Sequence, residues 1–223
     1  MPTLPDHVKS IVAEIETDIG ESAQENGGGA AGNGRSDGIE HAVRDILTEI
    51  GEDPDREGLR RTPDRVHRMY HELTAGYHVD PDRLINGAVF SVDYSEMVVV
   101  KGIEFYSLCE HHLLPFFGTA AVGYLPRDRV IGLSKIPRIV EMYARRLQVQ
   151  ERLTQEVADF LMERIEPLGV GVVIEAQHLC TAMRGVRKGG ATMVTSAVLG
   201  QFRRSQRTRE EFLSHLERSD KSR

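Results

Sequence analysis

The chain holds two cysteines, and each stands close to histidine, in Cys109-Glu110-His111-His112 and in His178-Leu179-Cys180. Thiolate and imidazole together are the usual ligand set for zinc. If the two stretches are halves of one site, the fold has to bring the end of the largely apolar run 103–108 against a segment far downstream. A lone free cysteine is more often a buried core residue, but two cysteines, both accompanied by histidine, shift the balance to metal. A Cys109–Cys180 disulfide is the remaining pairing. It is disfavoured because the N-terminus, Met1-Pro2-Thr3-Leu4-Pro5-Asp6-His7, lacks the basic-then-apolar pattern of a signal peptide, which makes a cytoplasmic location the expectation.

Spacing leaves the ligand set open. His111 and His112 are adjacent, so in extended chain their side chains diverge, and spacing does not say which one meets the metal. His178 and Cys180 are two apart in a predicted strand and would share a face, so His178 is either a fourth ligand or a proton-transfer group. Three ligands leave an open position, the catalytic pattern; four make a closed structural site.

The formal net charge of -6 and a pI near 5.9 disfavour a general nucleic-acid or acidic-membrane surface, and no apolar run approaches a membrane span. A polyanionic small molecule remains compatible, because basic residues cluster locally: Arg60, Arg61, Arg65 and Arg68; Lys135 and Arg138; Arg184, Arg187 and Lys188. Ser134-Lys135 falls where a strand gives way to a helix, a place where backbone N–H groups, a hydroxyl and an ammonium can cradle phosphate. Gln150-Glu151 opens the next helix, and a carboxylate can accept both N1–H and the exocyclic amine of guanine. Taken singly, Ser134 reads as a helix cap, Lys135 as a solvated charge and Glu151 as a carboxylate favoured at a helix start.

Glycine, alanine, asparagine and serine dominate 20–37, which reads as a flexible tail or linker, with a short helix before it on the spacing of Val8, Ile11, Val12 and Ile15. Helices are expected from 38, from Thr62-Pro63, over 134–146 and over 150–166, and strands over 89–92, 97–100, 103–108, 117–125, 170–177 and 191–199. Thr208-Arg209-Glu210-Glu211 has the form of a capping box opening a last helix. The core order β-β-α-α-β-β with flanking helices is an α+β arrangement on an antiparallel sheet. The expected division is an extension over 1–37, one domain over 38–216 and a tail over 217–223.

Taken together, Thr62-Pro63-Asp64-Arg65-Val66, Cys109-Glu110-His111-His112, Ile131-Gly132-Leu133-Ser134-Lys135, Gln148-Val149-Gln150-Glu151-Arg152-Leu153-Thr154 and His178-Leu179-Cys180 with Arg184-Gly185 closely resemble the GTP cyclohydrolase I family, in family order. One departure is His67, where a small residue is expected. The resemblance implies zinc on Cys109, His112 and Cys180, proton transfer by His111 and His178, guanine reading by Gln150 and Glu151, and triphosphate contacts from Arg65, Ser134, Lys135, Arg138 and Arg184. It implies GTP as substrate, opened hydrolytically and rearranged to 7,8-dihydroneopterin triphosphate with loss of formate, in folate and pterin synthesis. It also implies the tunnelling fold, with a four-stranded antiparallel sheet, helices on one side and a helical segment before it. Sheets of that kind join between subunits, typically in a homodecamer with active sites at the interfaces. Two alternatives stand beside it: another tunnelling-fold purine or pterin enzyme, and a non-catalytic zinc-containing purine-binding protein.

Overall fold

The computed structural model describes residues 4, 6–16 and 38–217; the Gly/Asn-rich stretch 20–37 lies outside the described residues. The long strands are β2 (Val98–Cys109), β3 (Pro115–Leu125), β6 (Gly169–His178) and β7 (Met193–Gly200), joined in that order by antiparallel ladders. Their content is β-branched and aromatic, as strand positions favour. The expected runs 97–100 and 103–108 are one strand, β2, with an irregularity of register between Val100 and Ile103. The expected strand near 89 does not join this sheet. As β1 (Val89–Ser91) it pairs antiparallel with β4 (Arg129–Ile131) in a separate ribbon. A two-residue strand, β5 (Leu147–Gln148), extends the main sheet at the β2 edge, parallel to Leu108 and Cys109.

Alternation assigns the faces of the sheet. Ile103, Phe105 and Ser107 on β2, Phe116, Ala120, Val122 and Tyr124 on β3, and Val170, Val172, Ile174 and Ala176 on β6 are all buried and share one side by register. Helices α5 (Lys135–Ala144) and α6 (Gln150–Ile165) cover that side with Ile136, Ile139, Val140, Leu153, Val157 and Leu161. Each such aliphatic or aromatic side chain contributes roughly 1.5–3 kcal/mol by leaving water. Among the described residues the opposite side is covered at one end only. There α8 (Gln201–Arg204) and α9 (Gln206–Glu217) set Phe202 and Phe212 over Gly123 and Gly171. The last helix does not start with a capping box at Thr208. It starts earlier, and Ser205 Oγ accepts from the Thr208 N–H at 3.2 Å.

The remaining helices are α1 (Asp6–Glu16), α2 (Gly38–Glu49), α3 (Thr62–Leu73), α4 (Pro81–Ile85) and α7 (Leu179–Ala182). Helix α1 packs Val8, Val12 and Ile15 against α3, α4, α5 and the turn at Ala75–Tyr77. His67 sits at this junction, its ring 4.5 Å from that of His71, which lies 6.4 Å from His7 of α1. Among the described residues no helix is long and apolar enough to cross a membrane.

Candidate metal centre

Cys109 is the last residue of β2 and is buried. The chain then turns tightly: the Leu113 N–H donates to Cys109 O at 2.8 Å, the Cys109 N–H donates to Leu114 O at 2.9 Å, and Leu113 takes a φ of 55°. This turn presents His112. Because β6 runs antiparallel to β3, its end at His178 returns to the same place, with His178 opposite Phe116. The backbone then enters α7, which carries Cys180. Strand alternation therefore does not relate His178 to Cys180, since β6 ends at His178 and Cys180 belongs to a helical turn. The ligand atoms of Cys109, His112 and Cys180 nonetheless all lie within 4.8 Å of one another. Burial and the adjacent Cys109 sulfur hold the Cys180 thiol above its ordinary value, a crowding of two sulfurs that a bound cation would relieve. Two sulfurs and an imidazole nitrogen are a donor set that fits zinc.

The two other histidines stand around this cluster in different ways. His111 is exposed, with Nδ1 3.9 Å from Cys109 Sγ and its ring nearly perpendicular to that of His112. His178 is half-buried, stacked on Phe116 at 4.7 Å with the rings 3° from parallel, and its Nε2 is 2.8 Å from Gln150 Oε1. Burial pushes the His178 imidazole below its ordinary pKa, against the opposing pull of the Glu151 carboxylate.

Gln150, expected as a reader of the base, has another commitment. It is fully buried, and its Nε2 donates to Ile174 O, Met193 O and Thr195 Oγ1 at 3.0, 2.9 and 3.1 Å. Glu151, the next residue, is exposed at the start of α6. Lys135 and Arg138 are not solvated charges; both are buried, 3% and 6% exposed. Ser134 precedes α5 without capping it through its side chain, and with Arg138 it lines a groove of about 340 Å³ whose other wall includes Ile11, Glu14 and Ile15 of α1. Arg184 follows α7, close enough for its charge to act on Cys180. Arg65 is exposed on α3, away from the sheet.

Glu110 and Arg152 received no role from the sequence. They are hydrogen-bonded to each other, and Arg152 Nε also donates to Gln148 Oε1 at 3.0 Å. With Glu110 N–H donating to Gln148 O at 3.0 Å, the turn after β2 that carries His112 is tied to the segment before α6. The guanidinium holds the Glu110 carboxyl below the usual carboxylate range. The signal available was opposite charge inside two motifs far apart in sequence, and only the β2–β5 pairing makes them neighbours.

Fold and cluster together define an α+β protein with a three-donor Cys-His-Cys cluster that could hold a metal ion at one end of an antiparallel sheet, flanked by two imidazoles. Residues 39–217 match the family model described as GTP cyclohydrolase I. The chain is 55% identical over 175 residues to GTP cyclohydrolase 1 of Leptospira biflexa, covering 78% of this chain and 96% of that one. It is 56% identical over 176 residues to the Campylobacter jejuni protein of the same name, covering 79% and 93%. A solved structure of the archaeosine synthase QueF-Like in its apo form superposes with a TM-score of 0.41 at 18% identity, covering 48% of this chain and 97% of that one. The chain belongs to the GTP cyclohydrolase I family.

Proposed function

We infer that this chain converts GTP to 7,8-dihydroneopterin triphosphate with release of formate, the first step of folate and pterin biosynthesis. The observation that carries the reading is the convergence of Cys109, His112 and Cys180 in a chain that matches this family over 39–217. These three residues would hold zinc, which when bound supplies Lewis-acid chemistry to water and substrate. The Glu151 carboxylate, exposed at the helix start beside His178, accepts the N1–H and amine of guanine. Ser134, Lys135, Arg138, Arg184 and Arg65 are the cations and hydroxyl for the triphosphate. His178 and His111 move protons at the opening ring. The converging ligand atoms are those of Cys109, His112 and Cys180 and do not include His178, which supports a proton-transfer role for it over that of a fourth ligand.

One chain does not gather this whole set. The C-terminal end of α5 leads into β5 beside Cys109, so the ten residues of α5 separate Ser134 and Lys135 from the metal end by about 15 Å along its axis. This supports a site completed by neighbouring copies. Among the described residues, β7 and most of β2 each have one unpaired edge, which neighbouring chains in a homodecamer would cover. A cytoplasmic location, without nucleic-acid or membrane partners, completes the reading. The test is incubation with GTP, following formate release and pterin fluorescence after oxidation, with ATP as control. Absence of formate from zinc-loaded protein would overturn it.

A further inference from the structure

We propose that Gln150 is a positioning residue that fixes the ring and tautomer of His178, with the proton on Nε2 and the lone pair of Nδ1 left for chemistry. The inference rests on the proton-transfer reading of His178 given above. It follows from donors and acceptors alone. Ile174 O and Met193 O are carbonyl oxygens and can only accept, so the corner of the Gln150 amide that faces both, at 3.0 and 2.9 Å, is the NH₂ group. The third partner agrees. The Thr154 hydroxyl donates to Gln150 O at 2.7 Å, which leaves the Thr195 hydroxyl to donate to Thr154 Oγ1 at 2.7 Å and its oxygen to face Gln150 Nε2 at 3.1 Å, sharing one of the two amide hydrogens with a carbonyl. The other corner is then Oε1, an acceptor, and His178 Nε2 lies 2.8 Å from it. A neutral imidazole can meet that oxygen only with Nε2–H. The parallel Phe116 ring at 4.7 Å fixes the plane in which Nδ1 points.

The network spans three elements. Gln150 and Thr154 belong to α6, Ile174 to β6, Met193 and Thr195 to β7, and His178 closes β6. Gln150 is wholly buried and all its amide atoms are used, so base reading at this helix start falls to its neighbour Glu151. Adjacent residues in the same helical turn thus act in different places, Glu151 on the substrate and Gln150 on the histidine.

The direct measurement is solid-state ¹⁵N NMR of the zinc-loaded protein labelled on histidine, with the His178 signals identified by their loss in His178→Ala. A protonated Nε2 and a bare Nδ1 are expected; a proton on Nδ1 overturns the proposal without any change at position 150. In Gln150→Leu the two tautomers should mix, and turnover should fall roughly 10–100-fold with the KM for GTP nearly unchanged. A raised KM with unchanged kcat, together with relaxed choice between GTP and inosine triphosphate, would make Gln150 a base reader and overturn the proposal. The underlying reading fails separately: full turnover by zinc-loaded His178→Ala removes the proton-transfer role whatever the tautomer.

Discussion

A carboxylate and an amide of nearly the same shape differ in one respect that matters at position 151. A carboxylate only accepts, whereas an amide turns a donor toward the edge of the base. Glu151→Gln should therefore lower kcat/KM for GTP by roughly 10–10²-fold while leaving the thermal unfolding midpoint unchanged, because the side chain is exposed and a mismatched donor costs roughly 1–3 kcal/mol against a buried partner. Steady-state kinetics beside a melting curve decides it, and equal turnover of GTP and ATP by the parent chain would sink the assignment. The metal ligands predict a different pattern. Cys109→Ala, His112→Ala and Cys180→Ala should each lose zinc and turnover together, from about one ion per chain in the parent. His178→Ala should keep zinc and lose ~10²–10⁴-fold in the ring-opening rate. Metal analysis by mass spectrometry, run beside single-turnover assays, separates these cases, and zinc lost from His178→Ala would return that residue to the ligand set.

Helices with a clear apolar stripe were legible in the sequence, and α3, α5 and α6 fall where periodicity puts them. So were the long strands. What local pattern could not carry was pairing. The partner of β1 is β4, across the whole of β2 and β3, and the Cys109–Gln148 neighbourhood exists only because a two-residue parallel strand forms there. Alternation failed at Cys180 because a strand that ends at His178 gives way to a helical turn. The convergence of Cys109, His112 and Cys180 was legible because both cysteines of the chain stand close to histidine, whereas the hydrogen bonds of Gln150 were hidden: its partners Ile174, Met193 and Thr195 come from strands assembled later in the chain. Glycine in β6 has an equally non-local reason. A Cβ on Gly171 would stand 2.5 Å from the Phe202 ring and 3.1 Å from Phe212. Gly171→Ala should therefore cost about 1–3 kcal/mol by overpacking, read as a lowered unfolding midpoint. An unchanged midpoint would mean that α8 and α9 yield freely from the sheet.

At the scale of the whole molecule, the proposed roles put a metal half and the phosphate contacts of Ser134 and Lys135 at opposite ends of α5. A substrate bound to a single copy would have to bridge the length of that helix, while the open edges of β2 and β7 invite copies to pair and bring unlike ends together. Size-exclusion with light scattering should show a large closed oligomer, and a fully active monomer would contradict the shared site. Mixing is the sharper test. Cys109→Ala disables the metal half, and Lys135→Met disables the phosphate half while keeping the buried stem of the side chain. Each variant alone should be nearly inactive. Co-expressed in equal amounts and assembled at random, a site drawing one half from each of two copies is intact in both with a chance of one half times one half, so about a quarter of parent turnover should return. Sites contained within single chains would give no recovery, because every chain in the mixture is defective in one half. The two outcomes differ by far more than assay error, and the zinc content of the same preparation, near half of the parent value, verifies that both variants are present.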